Sequence, residues 1–287
     1  MEKIKSIGLD AKSTIAFGVS INENYLDRIK SAVDYYIKYE FINIVLVCRD
    51  ILEIEPEMFN KKVKIIKTNN PSTKALDLLI EKKVDGIVRG TISSSKFLKT
   101  VKEKLNIKKI SRIAILEDIS GREFFFAPVG IDEGRTSKEK IFFIDQGSKI
   151  LKDIGIEPSI AVLSGGRMTD ISRAKFIRKS IKSAIKAVKT LKKMGYTNIF
   201  HSEILIEEAI KESNFIMAPD GISGNLIYRT LVHLGGGFSH GAIYIEPYLK
   251  GFVIIDTSRV GPINEYIGSI MLATTFSKLI KKIDLEK

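Results

Sequence analysis

The sequence lacks any run of about eighteen apolar residues, which is the length that a membrane-spanning helix requires. Its first ten residues carry charges where a secretory signal peptide needs an apolar stretch. No long segment is rich in Pro, Ser or Gln, so we expect little disorder beyond the termini. These absences predict a cytoplasmic protein with no membrane partner.

The sequence is also poor in residues that form disulfides or bind metals. The single cysteine, Cys48, lies in the apolar run NIVLVC, so no internal disulfide is possible and we expect the thiol to pack in a strand. The three histidines (His201, His233 and His240) have neither the helical spacing nor the cysteine partners of a zinc site. We therefore predict no metal site. Tryptophan is absent, and the Lys- and Ile-rich composition is compatible with thermophily or with codon bias.

The chain has 287 residues, of which 44% are hydrophobic and 28% charged. This length favours two domains over one large α/β unit. The net charge of +12 is compatible with nucleic-acid binding. However, lysines occur along the whole chain, and the densest cluster falls on a helix predicted over residues 173–193. We interpret that cluster as a solvated outer face and do not expect a nucleic-acid partner.

The order of apolar runs predicts two α/β domains. The first hundred residues alternate β-branched strands with amphipathic helices, a pattern typical of a parallel sheet whose ligands bind at the carboxyl ends of the strands. The turn-rich segment FFFAPVGIDEGRTSKEK marks a change of domain. We predict a first domain of residues 1–117 and 258–287, with residues 118–257 inserted as the second. A final helix over 266–282 should return to the first domain.

The segment APDGISGNLIYRT combines a strand, a proline, two glycines and a helix that we predict to begin at Asn225. Gly224 and Asn225 would present backbone amides to a phosphate or carboxylate. An ordinary turn capped by Ser223 or Asn225 explains the same residues equally well. Both interpretations stay open on the sequence alone.

Two further strand ends carry groups suited to anions. In RGTISSS, Gly90 permits close approach of a ligand, Thr91, Ser93 and Ser94 supply hydroxyl groups, and Arg89 precedes them. Simple helix capping is the alternative there. In DTSR, Ser258 and Arg259 place a hydroxyl beside a guanidinium, which suits an anionic reacting group. We expect the Gly90 loop, the Gly224 turn and Arg259 to converge on one anion site.

Taken together, GNLIYRTLVHLGGGFSHGAIYIEPYLKGFVIIDTSR resembles the C-terminal signature of phosphate acetyltransferases and butyryltransferases. The segments PSIAVLSGG, RGTISSS and TIAFGVSINENYLDRIKSAV extend the resemblance over nearly the whole chain. More narrowly, the sequence resembles the MtxX family, methanogenesis markers with a methyltransferase-related label. The resemblance implies the two-domain phosphotransacylase-like fold, also called isocitrate/isopropylmalate dehydrogenase-like, with an interdomain cleft. It also implies a homodimer formed through the second domain.

The resemblance also implies roles for individual residues. Ser258 and Arg259 match the catalytic Ser-Arg pair of the acyltransferases, and Glu265 takes the place of an acidic residue that acts in thiol deprotonation. Arg229 replaces a helix lysine in the substrate-binding region. The expected function is a transferase for a phosphorylated or CoA-like substrate, associated with methanogenesis. A methyltransferase and a non-catalytic anion-binding regulator or assembly protein are the alternatives. No sequence motif supports S-adenosylmethionine as a cofactor.

Overall fold

A computed structural model describes residues 1–8, 12–20, 25–36, 39–60 and 63–285. The chain forms two compact units. Unit 1 contains residues 1–110 and 239–287, and unit 2 contains residues 111–238. Among the described residues, no helix combines the length and apolar character needed to cross a membrane.

The sheet of unit 1 has the strand order β3-β2-β1-β4-β11-β10. Neighbouring strands are parallel from β3 to β11, and β10 is antiparallel to β11. Strands β1, β2, β4 and β11 are largely buried, mostly apolar runs, as is typical of a parallel sheet that helices cover. Their bounds are β1 Ser13–Val19, β2 Ile42–Arg49, β3 Val63–Thr68, β4 Gly86–Val88, β10 Phe238–Tyr244 and β11 Val253–Asp256.

The helices of unit 1 bury apolar side chains against this sheet. One core cluster contains Val45, Leu76, Leu79, Ile87, Phe97, Val101, Tyr244 and Ile254. The last helix packs on the first two helices and on the central strands, and Thr275 Oγ1 donates to the Ile4 carbonyl at 2.8 Å. The predicted return of the C-terminal helix is therefore confirmed. The helices are α1 Glu2–Gly8, α2 Leu26–Tyr35, α3 Pro71–Ile80, α4 Ser94–Lys104, α9 Ile245–Leu249 and α10 Ile263–Leu285.

The sheet of unit 2 has the strand order β5-β6-β9-β7-β8. Strands β6, β9, β7 and β8 are parallel, and β5 is an antiparallel strand beside β6. The carboxyl ends of the four parallel strands therefore share one edge. The strands are β5 Arg112–Glu117, β6 Glu123–Ala127, β7 Ile160–Val162, β8 Ile199–His201 and β9 Phe215–Met217.

The first helix of unit 2 begins at a recognisable capping signal. Thr136 and Glu139 form a capping box at its start, in which each side chain accepts from the other residue's amide. The four helices are α5 Ser137–Asp153, α6 Lys175–Lys193, α7 Ile206–Glu212 and α8 Gly221–His233.

The structure divides the chain at different residues from those we predicted. Residues 239–257, which we expected in the second domain, lie in unit 1 because β11 pairs with β4 and β10 pairs with β11. Residues 111–117, which we expected in the first domain, lie in unit 2 because β5 pairs with β6. Residues 286 and 287 of the predicted first domain lie outside the described part of the chain.

Cys48 packs in β2, as the sequence indicated. Its side chain is fully buried, and burial raises the pKa of the thiol to about 12. Because the thiolate is the nucleophilic form, this environment keeps the thiol unreactive near neutral pH.

Candidate functional site

Arg89 joins the carboxyl ends of two neighbouring strands, β4 and β11. Its buried guanidinium forms an ion pair with the Asp256 carboxylate and donates to the carbonyls of Ile92 and Thr257. These bonds hold the loops that follow β4 and β11 together. The interpretation of Arg89 as a ligand-binding neighbour of the Gly90 loop is therefore replaced by a structural one.

Gly90 and Thr91 are held tightly against β1. Gly90 has a φ of +60°, and a Cβ atom there would lie 2.2 Å from the Gly18 carbonyl oxygen. Thr91 is fully buried, and its hydroxyl accepts the Ser20 amide at 3.0 Å. The glycine is thus required by backbone conformation and by packing within the unit. Thr257 Oγ1 donates to the Gly90 carbonyl at 3.0 Å, so this loop lies beside the segment after β11.

Ser93 and Ser94 lie at the start of α4. Ser93 is the N-cap residue, but its hydroxyl lies 3.2 Å from the Ser95 hydroxyl and does not cap the helix amides. Among the described residues, no acceptor is bonded to the Ser94 and Ser95 amides. Helix amides of this kind, together with the helix dipole, favour an anion.

Ser258 and Arg259 lie in the turn between β11 and α10, and Glu265 lies in the first turn of α10. The Ser258 amide donates to Glu265 Oε1 at 2.8 Å, and Tyr266 Oη donates to the Arg259 carbonyl at 3.0 Å. Glu265 is buried, whereas Arg259 is exposed. No hydrogen bond or ion pair within the described residues engages the Ser258 hydroxyl or the Arg259 guanidinium. The carboxylate therefore fixes a turn that presents both groups.

Gly261 explains how Glu265 fits under this turn. A Cβ atom on Gly261 would lie 2.3 Å from Glu265 Oε2, and the Gly261 amide donates to the Ser258 carbonyl at 3.1 Å. Only a residue without a side chain leaves room for the carboxylate there. In this arrangement Glu265 orients the turn.

The start of α8 differs from the prediction. The helix begins at Gly221, with Asp220 as N-cap accepting the Ser223 amide at 2.9 Å. Aspartate, serine and asparagine are about equally favoured as N-caps, so the sequence alone did not distinguish Asp220 from Ser223 and Asn225. The Gly224 amide is bonded within the helix to the Asp220 carbonyl at 2.9 Å, and the Asn225 side chain donates to the Val129 carbonyl at 2.9 Å. The proposed opening of the helix at Asn225 is therefore wrong.

The glycines of this segment serve packing between backbones in unit 2. A Cβ atom on Gly224 would lie 1.9 Å from the Pro128 carbonyl oxygen, and one on Gly221 would lie 1.7 Å from the Gly130 carbonyl oxygen. Arg229 lies on the exposed side of α8, one turn before His233. Of the predicted residues in α8, only Arg229 is both charged and exposed.

Unit 2 contains a buried lysine that was not predicted from the sequence. Lys140 lies on α5 with its ammonium donating to the Gly134 carbonyl at 2.6 Å and also to the Pro219 carbonyl. Burial lowers the pKa of Lys140 to about 8, although nearby Asp220 opposes that shift. The lysine links the loops after β6 and β9. Its position on the apolar side of the helical pattern is the sequence signal that could have indicated this burial.

A second polar contact of unit 2 lies at the carboxyl ends of β7 and β8. His201 Nε2 lies 2.8 Å from the Ser164 hydroxyl, which donates to the Gly166 carbonyl at 2.9 Å. Burial lowers the pKa of His201, so its neutral form predominates at pH 7. Ser164 is fully buried, and this pair holds the loop after β7 in place.

The family of the chain follows from sequence similarity. A family model described as Phosphate acetyl/butaryl transferase matches residues 61–215, more than half of the chain. The chain is also 43% identical over 220 residues to mtx subunit X of Methanosarcina mazei, covering 77% of this chain and 76% of that relative. The chain belongs to the MtxX family. A protein of Methanocaldococcus jannaschii named as an uncharacterized methyltransferase is 34% identical, covering 77% of this chain and 91% of the relative.

Solved structures show the fold of this MtxX-family chain. The crystal structure of a branched-chain phosphotransacylase from Enterococcus faecalis is similar with a TM-score of 0.69 at 15% identity, covering 92% of this chain and 99% of the other. A phosphotransacetylase from Streptococcus pyogenes has a TM-score of 0.64 at 16% identity, covering 98% of both chains. The predicted resemblance and the predicted phosphotransacylase-like α/β fold are confirmed.

Proposed function

We propose that this MtxX-family chain is a cytoplasmic transferase that binds a phosphorylated or CoA-like substrate through the turn after β11. One observation carries the proposal: the Glu265 carboxylate fixes the Ser258 amide at 2.8 Å, and the Ser258 hydroxyl and Arg259 guanidinium are left unbonded within the described residues. A hydroxyl beside a guanidinium suits a phosphate or an acyl oxyanion. The family model and the names of the relatives are both those of transferases.

The neighbouring strand supports the same ligand class. Strand β4 pairs with β11, and the Ser94 and Ser95 amides of α4 follow β4 on the same side of the sheet. The bond from Thr257 Oγ1 to the Gly90 carbonyl links the two loops. An anion held by Arg259 would therefore have helix amides within the same unit to share its charge.

Methyl transfer is the second candidate, because the names of the relatives carry the label methyltransferase and the relatives come from species of Methanosarcina and Methanocaldococcus. A methanogenesis-associated role fits either reaction. The third candidate is a non-catalytic assembly protein, since the names also describe a subunit. Equilibrium binding separates the three: CoA or acetyl phosphate for acyl transfer, S-adenosylmethionine or a corrinoid protein for methyl transfer, and a partner protein without turnover for assembly.

Replacing Arg259 with alanine should weaken an anionic ligand about 10- to 150-fold, because one charge-assisted hydrogen bond typically contributes about 1.5–3 kcal/mol. Arg259→Lys should restore little of the affinity, since an ammonium cannot make the two-point contact of a guanidinium. Isothermal calorimetry with CoA, acetyl phosphate and S-adenosylmethionine would measure the effect.

The matched control is Arg173→Ala, which removes the same charge from a side chain that is 72% exposed in unit 2. Its affinity for the same ligand should stay within about twofold, because Arg173 takes no part in the proposed site and solvent screens a charge that does not contact the ligand. Equal affinities for the Arg259→Ala variant and the native chain would disprove the role of Arg259.

We also propose that the chain forms a homodimer through unit 2, which the family resemblance implies. Most symmetric dimers use the same patch on both copies, so one face of unit 2 should be covered in solution. Light scattering at micromolar concentration should give twice the mass of 32.1 kDa. A monomer under those conditions would rule the dimer out.

A further inference from the structure

Helix α6 carries the most one-sided charge in the described structure. Its 19 residues, KFIRKSIKSAIKAVKTLKK, contain no acidic residue, and none occurs between Asp170 and Glu203. At 3.6 residues per turn, six exposed lysines fall on one face. We call this the α6 lysine face: Lys175, Lys179, Lys182, Lys186, Lys189 and Lys193. Within the described residues, none of these six forms a salt bridge.

This arrangement opposes the stability of the helix. Lysines three and four positions apart repel each other, and α6 starts with Lys175 at the positive end of the helix dipole. The N-cap residue, Ala174, supplies no side-chain hydrogen bond. By contrast, α7 has Glu207 and Glu208 in its first turn. A merely solvated face gains nothing from repulsion of this kind, so the concentration of lysines on α6 points to an anionic partner.

The partner is not a membrane into which α6 would insert. The apolar side of the helix is already buried in unit 2, through Ile181, Ala184, Ala187, Val188 and Leu191. An amphipathic helix that binds a bilayer must have that side available. A two-fold contact that laid one lysine face on the other is disfavoured, because it would bring like charges together.

Three features favour a protein over nucleic acid. The face is made of lysine, whereas phosphate recognition favours arginine, and the guanidinium of the one α6 arginine, Arg178, donates to the Ile171 carbonyl. Phe176 and Met194 are 75% and 52% exposed, and they lie about five turns apart on one flank of the face. Aromatic and methionine side chains are enriched in protein interfaces. With Ile185 and Thr190, four of the lysines line a groove of about 360 Å³.

We propose that the α6 lysine face docks an acidic protein surface, with Phe176 and Met194 as apolar contacts at its ends. This proposal rests on the assembly role considered above for the family, and it assigns that partner a place and a charge. Attraction between the two surfaces speeds association and makes it sensitive to salt.

The test uses fluorescently labelled poly-L-glutamate, duplex DNA and vesicles with anionic lipid as probes of the full chain. One variant carries Lys182→Gln, Lys186→Gln, Lys189→Gln and Lys193→Gln. The matched variant changes four exposed lysines that each lie beside a carboxylate: Lys83, Lys99, Lys149 and Lys211. Both lose four charges. The α6 variant should bind poly-L-glutamate about tenfold or more weakly at low salt, and the matched variant about threefold or less.

The proposal predicts that the α6 variant loses more affinity for poly-L-glutamate than the matched variant does. It also predicts that the α6 variant loses more affinity for poly-L-glutamate than for DNA or for the vesicles. Any other order overturns it, and a larger loss for DNA would assign the face to nucleic acid. The α6 variant should unfold at the same denaturant concentration as the native chain or higher, because repulsion is relieved. A lower midpoint would mean that the lysines are structural. Ligand binding by Arg259 is independent of both results, so the two proposals can fail separately.

Discussion

Replacing Asp256 with asparagine is expected to lower the free energy of unfolding by about 3–5 kcal/mol. Asp256 and Arg89 are both buried, and they form an ion pair between strands β11 and β4. Asparagine has nearly the same shape as aspartate, so the substitution removes the charge with little change in packing. The buried guanidinium then loses the counter-charge of Asp256, and its desolvation is less well offset.

Urea unfolding followed by circular dichroism would measure this loss. Hydrogen exchange of peptides from β4 and β11 would show whether the destabilisation begins at these strands. The matched control is Glu55→Gln in the pair with Lys67, where the side chains are 57% and 40% exposed. Exposed pairs of this kind contribute little to stability, because solvent and salt screen the two charges. Loss of stability in the control equal to that of Asp256→Asn would contradict the effect of burial.

A double variant, Arg89→Met with Asp256→Leu, separates the charge from the other bonds of the arginine. Removing both charges together avoids leaving the buried guanidinium without the Asp256 charge, so part of the stability should return. Recovery should be incomplete, because the carbonyls of Ile92 and Thr257 lose their donor. Full recovery would show that those two bonds contribute nothing.

The fold was largely predictable because its signals are local. The strands of unit 1 are apolar runs rich in β-branched residues, and α6 keeps the spacing of an amphipathic helix, so both were found in the sequence. The domain boundary at residue 239 was not found. Strand β10 joins unit 1 through pairing with β11, and such a pairing depends on contacts that no local pattern records.

The site was only partly predictable for the same physical reason. Ser258 and Glu265 are seven positions apart, and the family resemblance predicted that they act together. Arg89 and its partner Asp256 are 167 positions apart, and no local pattern in the sequence indicates their contact. Glycine is ambiguous in sequence, because close approach to a ligand and close approach to another backbone require the same residue. In unit 2, Gly221 and Gly224 lie close to backbone atoms of the segment that follows β6.

Gly221→Ala should therefore destabilise the chain by about 3 kcal/mol or more. The new Cβ atom would lie 1.7 Å from the Gly130 carbonyl oxygen and 3.0 Å from the Glu133 nitrogen, and both are backbone atoms. They cannot move aside easily, because the Gly221 amide donates to the Glu133 carbonyl at 2.9 Å and the Glu133 amide donates to the Gly130 carbonyl at 3.0 Å. To relieve the overlap, α8 must move away from the loop after β6.

Helix propensity alone would stabilise the variant, since alanine is favoured over glycine in a helix by at most about 1 kcal/mol. The steric overlap outweighs this gain, so we expect a net loss of stability. The control is Gly165→Ala in an exposed bend, where the nearest atom to a Cβ would be Ser180 Oγ at 3.3 Å, a side-chain atom that accepts the Gly165 amide at 2.9 Å. Its unfolding free energy should stay within about 1 kcal/mol of the native chain, because a slight shift of this one side-chain atom relieves the contact. Paired urea unfolding curves would measure both variants. Equal unfolding midpoints for Gly221→Ala and Gly165→Ala would show that the loop after β6 can move away from α8. The close packing of these two backbone segments would then not explain why residue 221 is a glycine.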